Sequence, residues 1–177
     1  VSGVAPQPGE LYLVGQELLD CAATALGYTT GGTPERVAMY TGVEVTWDAC
    51  DCGVLALHVP RSYPSDQFPD QKVRPPFKVA EGCGAPFTVV EYVLTVLRCV
   101  PTGDGAHPPT PGALALAMAQ DLDDREALLW GVKCCLAARL HHIGDHLAVG
   151  EGGACAGSEL HVFVAFSNCH PCPDGVF

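Results

Sequence analysis

Ten cysteines stand at positions 21, 50, 52, 83, 99, 134, 135, 155, 169 and 172 of a 177-residue chain. Thiols at that density cross-link, hold a soft metal or act as nucleophiles. Cys50 and Cys52 lie in Asp48-Ala-Cys-Asp-Cys-Gly53 at an expected strand end, and Cys169 and Cys172 lie in Cys-His-Pro-Cys. Cys83 and Cys155 sit among glycines. These loop thiols, Cys50, Cys52, Cys83, Cys155, Cys169 and Cys172, are the ones expected to form disulfides or bind zinc. Cys50 and Cys52 with Cys169 and Cys172 would close a four-thiolate site, with His170 beside it. The second pair has the two-residue spacing of a zinc knuckle, whereas the first has a single intervening residue. Disulfides, zinc and free thiols therefore all stay open, with disulfides leading, and no metal is assigned. Cys21, in Leu18-Leu-Asp-Cys-Ala-Ala23, and Cys134-Cys135, after Trp130 and Val132, read instead as small buried hydrophobes.

Other chemistry is not spelled out. The chain has no G-x-x-x-x-G-K-[ST] loop, and Gly150-Glu-Gly-Gly153 lacks the strand and helix that a phosphate cradle needs. No G-x-S-x-G elbow occurs. His142 and His146 are four apart, but Gly144 separates them and no Glu follows in the metalloprotease position. No local pattern selects a Cys-His pair. Asp121, Asp123, Asp124 and Glu126 surround Arg125 and read as a solvated helix face. The expectation is a protein that is not an enzyme and carries no cofactor.

The elements that would position these residues follow from periodicity. Leu11, Val14, Leu18, Leu19, Ala22 and Leu26 recur at helical spacing before Gly27, predicting a helix over 10–26. Residues 36–48 alternate through Val43, Val45 and Trp47, and Leu55, Leu57 and Val59 follow a tight turn, predicting a hairpin. Residues 60–86 and 101–111 are rich in proline and are expected to be extended loops or arms. Residues 87–100 form the strongest strand, apolar in both alternating sets, which calls for cover on both sides. Helices would supply one cover, and a second layer or a neighbouring subunit the other. Thr110-Pro111 starts a second helix reaching about residue 140, with a break expected near 121–124. Arg139, His141 and His142 suit its C-terminus. After a glycine cluster, residues 159–167 alternate as the last strand. The fold class expected is α/β in the α+β sense: one domain over 1–177, with a mixed or antiparallel sheet of about four strands packed by two main helices.

Composition narrows the function. The chain is 48% hydrophobic and 16% charged, which excludes intrinsic disorder. No apolar run approaches the roughly 18–20 residues of a membrane span. Twenty acids against nine Lys and Arg leave a net charge of −11, with no attraction to phosphate backbones. No charged segment followed by an apolar one opens the sequence, so the expectation is synthesis in a reducing cytosol, at odds with so many cysteines. A component made inside a cell and then released in a virion reconciles the two.

The Trp47-Asp-x-Cys-x-Cys-Gly53 turn, Arg61-Ser-Tyr-Pro-Ser65, Leu97-Arg-Cys-Val-Pro101 and Gly152-Gly-Ala-Cys-Ala-Gly157 give the sequence a family likeness. With the order of elements, it resembles head-to-tail connector proteins of actinobacterial long-tailed phages, above all the tail terminator. The resemblance implies a tail-terminator-like fold and a homohexameric ring that ends tail-tube polymerisation and meets a head-completion (stopper) protein. It also implies a place in the virion neck after assembly in the host cytoplasm, with genome DNA passing through unbound and no membrane involved. In that setting Arg61, Tyr63, Phe68 and Phe77 are the expected subunit or partner contacts, and Asp121, Asp123 and Asp124 the expected lumen-facing acids. Another connector role, stopper or adaptor, or a zinc-stabilised binding module, is the alternative.

Overall fold

The computed structural model describes residues 9–42, 53–71, 85–103, 107–152 and 154–168. Its elements are α1 (Glu10–Leu26), β1 (Arg36–Met39), β2 (Val54–Ser65), β3 (Phe87–Cys99), α2 (Pro111–Cys135), β4 (His141–Gly152) and β5 (Cys155–Ser167). The strands form one five-stranded mixed sheet in the order β1-β2-β3-β5-β4, and the fold is α+β.

α1 matches its predicted span. Its apolar stripe, Val14, Leu18, Leu19, Ala22 and Leu26, is fully or almost fully buried against the sheet. Gly15 permits the close approach, because a Cβ there would lie 2.8 Å from Met39 Cε and 3.2 Å from Tyr92 Cε1. Tyr92 is itself fully buried and donates its hydroxyl to the Leu11 carbonyl at 2.7 Å, tying the helix start to the central strand. α2 begins as expected: Thr110 Oγ1 accepts from the Ala113 amide, and Pro111 follows the cap. It runs unbroken to Cys135, so the break expected near 121–124 does not occur. The carboxylate of Asp124 is used in a tertiary ion pair rather than to cap a second segment.

The sheet departs from expectation in three ways. β1 and β2 pair in parallel, Arg36 opposite Val54 and Met39 opposite Leu57, so they do not form a hairpin. The alternating part of the first predicted strand, 43–48, lies outside the described residues. β2 continues through residues 60–65, the start of the expected arm. A register shift between His58 and Arg61 accommodates Pro60, and beyond Leu57 β1 no longer pairs with β2, which leaves an edge where Pro64 is tolerated. β4 is an additional edge strand, where Gly144 and Gly150 weaken the alternation that would reveal it.

As its two apolar alternating sets require, β3 is covered on both faces within the single chain. Val90, Tyr92, Leu94 and Val96 meet the helices, while Val89, Glu91, Val93, Thr95 and Leu97 on the opposite face are each no more than 5% exposed. No neighbouring subunit is needed to bury this strand.

Candidate functional site

Three clusters collect the side chains with chemical potential. The first is on the sheet face away from the helices. Register places Arg61 and His161 near Glu91 from the two sides of β3. Arg61 Nε donates to Glu91 Oε2, and His161 Nδ1 sits 2.6 Å from Oε1. Burial pushes the Glu91 carboxyl upward, but the hydrogen bonds from His161 and Arg61 and their charges outweigh it and hold the group below its ordinary range. A carboxylate that orients an imidazole is a general-base arrangement. Here, however, His161 Nε2 is shielded from solvent and finds no hydrogen-bond partner among the described residues. The cluster works as a polar rivet between strands.

The second cluster joins β3, α2 and the segment after α1. Arg98 Nε and Nη2 bond both oxygens of Asp124 at 2.8 and 3.1 Å, and its remaining donors reach the Gly31 and Gly32 carbonyls. Thr29 Oγ1 donates to Asp124 Oδ1 and the Thr30 amide to Asp123 Oδ2, both at 2.8 Å. Asp121 pairs with Arg125 at 2.8 Å, one helical turn away. The predicted solvated acidic face is therefore corrected in part: Asp124, at 1% exposure, faces inward and belongs to no lumen surface. Asp121 and Asp123 are partly exposed. Beside this cluster, a largely apolar cavity of about 320 Å³ separates the first half of α2 from the sheet, walled by Val96, Leu114, Met118 and Val149. Nearby, His146 Nε2 is 3.0 Å from the buried Ser158 hydroxyl. Burial, helped by Arg125, pushes the His146 imidazole down to about 4.

The third cluster is of thiols. The described disulfide links Cys21 of α1 to Cys135 of α2, with Cα atoms 6.1 Å apart, so two of the three cysteines expected to be plain core residues are cross-linked. Helical spacing hid this, because the partner half of the site lies 114 residues away. The helices touch at Gly131, where a Cβ would come within 2.9 Å of Ala25 Cβ. Cys99 is also disulfide-bonded, and Cys155, placed opposite it in the β3–β5 register, opens a strand rather than lying in a loop. Cys134 carries an exposed thiol. Cys50, Cys52, Cys83, Cys169 and Cys172 lie outside the described residues, and the described ones contain no metal-binding group of His, Cys, Asp and Glu.

The expected contact residues are only partly available. Tyr63 is buried and donates to the Pro69 carbonyl at 2.8 Å, and Ser65 Oγ donates to the Asp70 carbonyl at 2.7 Å, pinning the 66–70 turn against β2. Tyr63 is thus corrected from a gripping residue to an internal strut. Phe68 is half-buried in that turn, Arg61 is half-exposed with its charge committed to Glu91, and Phe77 lies outside the described residues.

What remains open to a partner is apolar surface on the helices. Leu114, Leu116, Met118, Leu122 and Trp130 of α2 are 48–66% exposed. Only Asp124, Leu128 and Val132 of this helix are buried, so its first half stands clear of the core. No helix among the described residues is long and apolar enough to cross a membrane. In comparison with known proteins, no family model and no curated protein matches the chain.

Proposed function

We propose that this chain is a structural virion subunit, a tail terminator that closes the tail tube as a ring and joins it to the head connector. The observation that carries this reading is the exposed apolar half of α2 on a domain whose own core is complete. Solvent-facing leucines and a methionine at that density mark a protein contact, and cyclic association buries one such surface per subunit by repetition. The acid excess supports the same reading, since a lumen of this sign repels a passing genome rather than trapping it. Asp121 and Asp123 remain candidates for that lining.

Depletion of the protein during phage assembly tests the role. Tails of uncontrolled length identify the terminator, whereas tails of normal length that fail to join heads identify a stopper instead. Normal virions would sink both. In vitro, the purified chain should bind ends of the tail tube and stop its growth, and Leu116→Asp with Met118→Asp should abolish this without unfolding the domain.

A further inference from the structure

α2 carries a feature that a general apolar surface does not require. Ala119, Leu122, Glu126, Trp130 and Lys133 are all exposed and recur at spacings of three or four residues. At 100° per residue they form one stripe, diametrically opposite the buried stripe of Asp124, Leu128 and Val132. Its centre is Trp130, 61% exposed, with the Lys133 ammonium 5.5 Å from its ring centroid. Neither Glu126 nor Lys133 forms an ion pair among the described residues, whereas Arg61, Arg98, Arg125 and Arg139 all do.

We propose that this stripe is a two-fold docking seam for the α2 of a second copy of the chain, with the helices antiparallel. The midpoint between Glu126 and Lys133 falls beside Trp130, between it and Leu129. An antiparallel partner centred there sets each Glu126 level with the other copy's Lys133 and brings the two indoles together. A parallel pairing would instead put like charges level. The seam is therefore complementary to itself in one orientation, as a two-fold interface demands. One helix pair gives an interface at the small end of the specific range, so the dimer is expected to be in equilibrium with monomer at micromolar concentration.

Sedimentation of the intact chain over a concentration series reads this out. Glu126→Lys and Lys133→Glu should each weaken dimerisation about tenfold or more through like-charge contact, and the double swap should restore it. Trp130→Ala should remove it while leaving the fold intact, since the indole is exposed. Glu126→Cys should cross-link to the native Cys134 of the other copy under mild oxidation, and Leu116→Cys should not. A chain that stays monomeric, or a double swap as weak as the single variants, would overturn the seam. Six-chain rings untouched by these substitutions would also overturn it while leaving the terminator reading in place. Dimers without tube-capping activity would do the reverse.

Discussion

Arg98, near the end of β3, grips both carboxylate oxygens of Asp124, in the middle of α2, at 2.8 and 3.1 Å. The pair is almost fully buried, at 12% and 1% side-chain exposure, and it also organises Gly31, Gly32 and Thr29. Removing one partner strands a charge in a poorly solvated place. Asp124→Ala should cost about 3–5 kcal/mol in urea unfolding. Replacing both, Arg98→Met with Asp124→Leu, should cost markedly less. A double-variant loss equal to the sum of the Arg98→Met and Asp124→Leu losses would show that the charges do not pair energetically.

Glu91 makes stability depend on acidity. Its folded-state carboxyl titrates below the ordinary value of 4.5, so the unfolded chain binds the proton more readily. The resulting stabilisation is complete above about pH 4.5 and is lost as the pH falls through the lower folded value. Unfolding free energies measured from pH 6 downward should therefore fall more steeply for the native chain than for Glu91→Gln. Parallel curves would remove Glu91 from the acid response.

His146 acts in the adjacent window. Its imidazole is pushed from 6.5 to about 4 by burial, so folding favours the neutral ring. Stability is fully present above about pH 6.5 and declines from there toward pH 4, as the unfolded state takes up the proton first. The His146 ring resonances should stay flat by NMR down to about pH 5, and His146→Gln should flatten stability between these limits. A midpoint near 6.5 would contradict the buried placement.

The Cys21–Cys135 link closes a loop with a sequence separation of 114, and its loss should cost about 2–4 kcal/mol. Thermal melts with and without reductant should differ accordingly. Cys21→Ser with Cys135→Ser should lower the oxidised melt, by no more than full reduction does because reductant also opens the Cys99 disulfide, whereas Cys134→Ser should leave the oxidised melt unchanged. Insensitivity to reductant would mean that helix packing alone holds α1 on α2.

Gly131 sets two effects against each other. In an open helix, Gly→Ala gains about 1 kcal/mol, but here the added Cβ meets Ala25 Cβ at 2.9 Å, with the Cys21 carbonyl 3.3 Å away. Neither neighbour is a flexible side-chain tip, so the helices must separate, at about 1–3 kcal/mol. Gly131→Ala should be neutral to destabilising and Gly131→Val clearly destabilising. A net gain would disprove the close approach.

Local pattern alone determined α1, the cap of α2, the core of β3 and the last strand. Each is written in a period of 3.6 or 2 that one segment can satisfy by itself, as Leu11 to Leu26 and Val89 to Leu97 show. What depends on two distant segments was decided only by the tertiary structure. The parallel pairing of β1 with β2 reversed an expected hairpin, and β4, interrupted by Gly144 and Gly150, became a strand by hydrogen-bonding to β5. Asp124 reads as solvated until Arg98 is brought over it, and Cys21 reads as a small hydrophobe until Cys135 is brought beside it. The physical reason is common to all four. Hydrophobic periodicity records which side of an element is buried, whereas ladder pairing, ion pairs and cross-links record what it is buried against, and that partner lies elsewhere in the chain.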